Sequence, residues 1–251
     1  MPIPIETING KTTVTVLENN PLVMNALSTQ LGLSPALQFH DIYSLSDPSL
    51  LSHIPLPIHA LLVILPLTPA WHTSRESEDA LTPSYTASGP SEPVIWFKQT
   101  IGHACGSIGL LHCLINGSAL KYLRPDSLAL RIRETAIPLQ MEARAKSLYD
   151  NEAFLQAHQS VAELGDTEAP DAATGDRLGQ HFVAFVKGED GNLWELEGSR
   201  KGPINRGFLG EEGLLSQKGV ELGIGRVIKM EKESGGGDLR FSCIALAGGE
   251  E

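Results

Sequence analysis

The hydrophobic positions of the chain fall into short blocks separated by polar stretches, and the spacing within each block predicts its element. Asn20 followed by Pro21 is an N-cap with proline at the first helical position. Leu22, Met24, Leu27 and Leu31 then continue at helical spacing until Gly32 closes a first helix. Gln38–Tyr43 is a short strand candidate, followed by a polar turn around Ser46–Ser49. Ala60–Leu67 (ALLVILPL) is apolar throughout, far shorter than the about 20 residues that cross a bilayer, and interrupted by Pro66, so it predicts a buried strand. From His72 to Pro93 the chain turns to Ser, Thr, Glu, Pro and Gly, which predicts a solvated loop. Ile101–Leu114 has helical character with small residues at its start.

Pro125 to about Ala157 carries charged amphipathic segments interrupted at Pro138, a helical middle. Ser160–Gly179 has no hydrophobic periodicity; structureless stretches beyond about 12–15 residues are usually functional or disordered. His181 then opens HFVAFV, KGEDGN turns with Gly188 and Gly191, and LWELEG returns, an antiparallel hairpin. An amphipathic stretch over Glu211–Glu231 ends at three glycines, and LRFSCIAL makes a last strand. Strands and helices intermix without an internal repeat, so the predicted class is α+β with a mainly antiparallel sheet, in one domain over 1–251 with residues 1–10 as an N-terminal extension.

Composition narrows the partners. With 251 residues, 41% of them hydrophobic, the chain can bury a proper core. A formal charge of −11 argues against nucleic acid or an anionic membrane, both of which select basic surfaces, and favours a basic partner. The start MPIPIETINGKTT lacks a basic segment followed by an apolar core, so the cytoplasm, and with it the nucleus, is the expected location. Cys105, Cys113 and Cys243 cannot all pair and lack zinc-site spacing, so reduced thiols and neither metal nor cofactor are expected.

The chemistry concentrates in KQTIGHACGSIGLLH. A cysteine attacks as its thiolate, and a free thiol near pKa 8.5 is mostly protonated at neutral pH. The first turn of a helix, with its unsatisfied N–H groups, favours the anion at Cys105. Ala104, Gly106, Ser107 and Gly109 are small enough to let a substrate backbone come close, although the same residues suit a tightly packed helix, and a cysteine in isolation reads as core.

A nucleophile also needs a base, an orienter for that base and an oxyanion hole. His112 lies seven residues past Cys105, about 10 Å further along a helix axis, out of reach of the sulfur. His103 is too close in sequence to fold onto the thiol and lines the entrance. His40, His53, His59, His72 and His158 read as surface or satisfied core residues. His181 differs, because it begins an apolar strand, where an imidazole needs a polar partner. With the turn centred near Glu189, His181 faces Glu197, and opposed side chains have Cβ atoms about 4.5–5.5 Å apart. Gln99, six residues before Cys105, can donate to an oxyanion alongside the Cys105 N–H. Cys113 and Cys243 read as core.

Together QTIGHACGSIGLLH, QHFVAFV and LWELEGSRKGPINRG resemble the signature segments of the ubiquitin carboxyl-terminal hydrolases, papain-like cysteine peptidases. VLENNPLVMNALSTQLGL, QFHDIYSLSDPSLLSHIPLPIHALLVILPLT and DLRFSCIALA resemble further blocks in the family's order. The resemblance implies a papain-like fold and a monomeric thiol hydrolase acting at the ubiquitin C-terminus. In it Cys105 is nucleophile, His181 general base, Glu197 the third member and Gln99 the oxyanion stabiliser. It implies that Ser160–Gly179 is a crossover loop admitting small or extended adducts, and that Glu18, Asn19, Asn20 and Pro21, with His103 and Gly106 at the entrance, contact substrate. Ubiquitin's basic tail suits an acidic protein.

Three positions depart from the family pattern. Glu197 stands where aspartate is usual, after a hairpin turn one residue longer; His103 replaces an asparagine, and Ser107 a threonine. Neither of the latter two changes removes a needed group. Two alternatives stay open: preference for a ubiquitin-like modifier such as Nedd8, and a catalytically impaired ubiquitin-binding module.

Overall fold

The computed structural model describes residues 5–166, 179–235, 238 and 240–249. Asn9 and Gly10, both at positive φ (53° and 77°), form a two-residue turn that joins β1 (Glu6–Ile8) to β2 (Lys11–Thr13). Residues 6–10 thus belong to a hairpin rather than a plain extension. Helix α1 spans Pro21–Leu31, capped by the Asn20 side chain and ended by Gly32 at φ 102°, as the pattern predicts. Strand β3 covers Leu37–Asp41, and Asp47 caps a single helical turn, α2 (Pro48–Leu51), within the stretch read as a polar turn. Strand β4 is Ala60–Pro66.

The polar stretch that follows overturns its reading as a loop. Thr68 caps a helix with Pro69 at its first position, and α3 runs Pro69–Leu81. Trp71 alone is buried on it, so its sequence carries almost no apolar stripe. Ion pairs fix it instead: Glu78 meets Arg206 and, at 2.7 Å, Arg200, while Asp79 is 3.0 Å from Arg200. No residue in the segment itself reveals these partners, which lie more than a hundred positions away.

Helix α4 (Cys105–Ile115) starts four residues later than its pattern suggests. His103 at φ 57° and a bridge from Gly102 to Thr13 hold the preceding chain out of helical geometry. The helical middle comprises α5 (Leu128–Ala136), α6 (Met141–Tyr149) and α7 (Glu152–Val161). Strands β5 (Gln180–Lys187), β6 (Asn192–Leu196) and β7 (Ile204–Phe208) follow. The amphipathic stretch after them is two helices, α8 (Gln217–Leu222) and α9 (Ile224–Glu233), broken at Gly223. Strand β8 (Ser242–Gly248) starts three residues later than LRFSCIAL suggests; Leu239 lies outside the described residues.

Six strands make one sheet in the order β3-β8-β4-β5-β6-β7, every described pair antiparallel. Its faces are covered differently. On one, Leu62, Phe182, Ala184 and Leu246 pack with α1, α4, α5 and α7; on the other, Leu61, Val63, Phe185 and Ala245 meet Ile224 and Val227 of α9. A central strand covered on both faces has no polar side to show, which explains the unbroken run ALLVIL. This is the α+β class read from the sequence. Among the described residues no helix is long and apolar enough to cross a membrane.

Candidate active site

The site forms where the N-terminus of α4 meets the start of β5. Glycines set that approach: a Cβ at Gly106 would lie 3.2 Å from Phe182, and one at Gly109 2.9 Å from Leu62. Gly106 is buried against Phe182 and Leu17, so its smallness serves helix-on-sheet packing rather than access for a substrate backbone; what it offers the site is its N–H. The helix brings Cys105, its first residue, beside His181 and Phe182 of β5.

Helices α1, α3, α5 and α7 begin with side-chain caps from Asn20, Thr68, Ser127 and Asn151. At α4 the capping position is Ala104, which provides none. Its first-turn N–H groups are therefore left for an anion. Cys105 is half-buried. Burial opposes ionisation of its thiol, but hydrogen bonding and charge from His181, with backbone N–H groups of Phe182 and Gly106, hold it below the ordinary thiol value. Burial likewise opposes charge on His181, yet Cys105 and Glu197 together raise the imidazole well above its usual value. The two shifts describe one thiolate–imidazolium pair.

His181 Nε2 lies 2.9 Å from Glu197 Oε1. The approach departs from the N–H direction, so the contact is more a charge pair than an aligned hydrogen bond. Glu197 is 1% exposed, and despite burial its carboxylate is held down at about 2 by His181, Arg75 and Ser199. The Ser199 N–H donates to Oε1 at 3.0 Å and its hydroxyl donates to the same oxygen.

The hairpin reaches this geometry by another register than the one predicted. Its pairs run from Lys187↔Leu193 to Ala184↔Leu196, centring the turn on Asp190 rather than Glu189. Continued, that register sets His181 opposite Ser199, two places from the expected partner. The paired ladder ends at Ala184↔Leu196, and Glu197 opens the turn that follows, its carbonyl accepting from the Arg200 N–H at 3.2 Å; from there its long side chain reaches back to His181. The longer turn and the longer acid thus compensate each other.

Gln99 is anchored to the same loop. Its N–H donates to the Gly198 carbonyl at 2.7 Å, and a Cβ at Gly198 would lie 2.9 Å from Gln99 Cβ. Its side-chain Nε2 donates to the Ile101 carbonyl at 3.2 Å, which leaves the amide's second N–H for another acceptor. His103 occupies the left-handed region, where asparagine and histidine are among the few non-glycine residues found, which accounts for histidine standing in for the family's asparagine.

The other histidines are accounted for in the packing. His112 Nε2 accepts from the Phe97 N–H at 2.9 Å, and burial depresses it to about 3. His158, pressed by burial to about 4, lies 2.8 Å from Ser107 Oγ and 2.6 Å from the Thr15 carbonyl. His40 meets the Gly248 carbonyl and His59 meets Ser118, each at 2.7 Å; His53 and His72 are exposed. Cys113 and Cys243 are buried, and burial pushes both thiols upward.

Glu18, Asn19, Asn20 and Pro21 lie at the start of α1. Asn20 caps that helix and donates to Asp166 at 3.0 Å, Glu18 Oε2 accepts from the Asp166 N–H at 2.7 Å, and Asn19 donates to Ser242 at 3.1 Å. They therefore border the first residues of the segment read as a crossover loop. Residues 160–161 of that segment end α7, and 167–178 lie outside the described residues. Arg75, absent from the reading of the sequence, joins the site from α3, 3.5 Å from Glu197 Oε2. Among the described residues no group of three or more His, Cys, Asp or Glu is placed to hold a metal ion.

A thiol at an uncapped helix start, an imidazole beside it and a buried carboxylate behind the imidazole make the arrangement that cysteine peptidases use. The profile of the family "Ubiquitin carboxyl-terminal hydrolase, family 1" matches residues 14–229, and the chain belongs to that family. Ubiquitin carboxyl-terminal hydrolase isozyme L1 of Sus scrofa is 32% identical over 230 residues, 92% of this chain and 96% of its own length. The Monodelphis domestica isozyme is 33% identical over 231 residues with the same coverage. The catalytic domain of Trichinella spiralis UCH37, solved bound to ubiquitin vinyl methyl ester, shares the fold with a TM-score of 0.70 at 19% identity, covering 95% of this chain and 96% of that one.

Proposed function

We propose that this deubiquitinating cysteine peptidase cleaves small or extended adducts from the C-terminal glycine of ubiquitin through an acyl-enzyme on Cys105. The Cys105 thiolate attacks the glycine carbonyl carbon, forming a C–S bond while the carbonyl electrons move to oxygen. The oxyanion meets the Cys105 N–H, at the first position of α4 where no intrahelical acceptor exists, and the amide N–H of Gln99 not used by Ile101. His181 gives its proton to the leaving amine or thiol as the carbon–heteroatom bond breaks. It then takes a proton from water, whose oxygen attacks the thioester and regenerates the pair. Glu197 holds the imidazole in place and stabilises its charge, and the start of α1, with Gly165 and Asp166 beside it, borders the substrate.

The observation that carries this reading is the placement of Cys105 at the start of α4 against His181, with a buried carboxylate 2.9 Å from the imidazole. Glu197 meets His181 despite replacing the family's aspartate, which speaks for an active enzyme over an impaired binding module. The test is release of a fluorogenic amine from the ubiquitin C-terminus under reducing conditions. The wild type should turn over and Cys105→Ala should not. Turnover by Cys105→Ala, or an inert wild type that binds ubiquitin, overturns the reading.

A further inference from the structure

We infer that Arg75 is a positioning residue for the reaction: from α3 it holds the Oε2 side of Glu197 so that Oε1 stays on His181. This deepens, and rests on, the reading of Glu197 as the group that orients the imidazole.

The two carboxylate oxygens have unequal surroundings. Oε1 faces His181 and accepts from both the N–H and hydroxyl of Ser199. Oε2 is fully buried and accepts no hydrogen bond among the described residues; the Arg75 guanidinium, with Nε at 3.5 Å, is the positive charge recorded against it. A buried carboxylate oxygen without a hydrogen-bond donor is costly unless a cation compensates it. The final torsion of a glutamate is broad, so bonds to one oxygen do not fix the carboxylate plane, and glutamate has one more torsion to restrain than aspartate. A second anchor is therefore of more consequence here than behind an aspartate.

Arg75 is itself held. Its Nη2 donates to the Ser199 carbonyl at 2.6 Å, its guanidinium carbon lies 5.0 Å above the Trp71 ring, and Asp79 stands 3.8 Å from its Nε on the same helix. It thus contacts both the carboxylate and the backbone of the residue that hydrogen bonds to that carboxylate. The helix carrying it is fastened by Glu78 and Asp79 to Arg200 and Arg206, on the chain just after Glu197. Glu197 is gripped from two sides, by its own loop and by α3.

The experiment is a double-mutant cycle on the full chain, measuring kcat and KM for release of a fluorogenic amine from ubiquitin by wild type, Arg75→Met, Glu197→Gln and the double variant. Arg75→Met should lower kcat about tenfold with KM within about twofold, since the interaction acts on the imidazole and not on ubiquitin. Arg75→Lys should recover most of that loss. In the Glu197→Gln background, where the charge served by Arg75 is gone, Arg75→Met should change kcat by less than about twofold. Equal losses in both backgrounds would assign Arg75 a merely structural role and overturn the proposal. A wild-type kcat for Arg75→Met beside an impaired Glu197→Gln would also overturn it while leaving the reading of Glu197 intact. Full activity in Glu197→Gln would remove that reading and the proposal with it. If Arg75→Met does not fold by circular dichroism, Arg75→Gln, which keeps a donor for the Ser199 carbonyl, must show the same tenfold loss.

Discussion

The two helices that serve the site are built on opposite physics. In α4 every residue after Cys105 is buried, the start is uncapped, and small residues press it against β4 and β5. In α3 Trp71 alone is buried, Thr68 caps the start, and the helix is fastened by charges to Arg200 and Arg206. Helix α4 brings the thiol, and α3 brings the cation behind the carboxylate. Apolar packing supplies a rigid platform for the group that changes covalently, while ionic contacts from the polar helix tune the group that only holds charge.

The sharpest way to break that comparison is at Glu197, where the two helices' contributions meet. Glu197→Ala should lower kcat by about 10²–10⁴ with ubiquitin affinity nearly unchanged. Glu197→Asp should fail to rescue it, because from the turn after β6 the shorter side chain leaves its carboxylate short of His181 Nε2. Steady-state kinetics beside a binding isotherm decide this; an active Glu197→Asp variant would refute the register argument.

Next in size is Glu78→Ala, which leaves the nearly buried Arg206 and Arg200 with one carboxylate fewer and loosens α3. It should cost on the order of 2 kcal/mol in urea unfolding, discounted because Glu78 itself is partly exposed. The matching change on α4, Gly109→Ala, should destabilise through crowding of Leu62, by about 1 kcal/mol or more, and should be insensitive to salt where Glu78→Ala is salt-dependent.

A pH-dependent effect concerns the buried histidines of the apolar half. His112 and His158 are depressed to about 3 and about 4, so the unfolded chain binds protons there more readily than the folded one. Their stability contribution is present above the unfolded value near 6.5 and is lost as pH falls from 6.5 toward 4. By pH 5 the loss should be on the order of 1–2 kcal/mol for each. His158→Gln should flatten that acid slope in melting experiments, and an unchanged slope would contradict the assignment.

What could be read from the sequence follows the same division. Elements that bury apolar side chains at a regular period, α1, β4, α4 and the β5–β6 hairpin, were legible, and so was the meeting of Cys105, His181 and Glu197. Helix α3 was illegible because its stability resides in ion pairs with residues more than a hundred positions away, which no local period records. Its threonine–proline start at Thr68–Pro69 was the one available sign. The hairpin register was missed by two because centring a turn on Glu189 or Asp190 is indistinguishable from residue types alone; Glu197 meets His181 from the turn after β6 rather than through the strand ladder. Arg75 carried no sign at all. The Asn9–Gly10 turn did, being the commonest short hairpin pair.

The most direct test of the central claim, that Cys105 rests as a thiolate paired with His181, is the pH dependence of its alkylation by iodoacetamide in the folded enzyme. Burial holds Cys113 and Cys243 protonated and shields them, so the reaction reports Cys105 alone. The account predicts a rate that reaches its plateau well below pH 8.5, with the midpoint displaced upward in His181→Ala. A midpoint at the ordinary thiol value in the wild type, unmoved by His181→Ala, would contradict it.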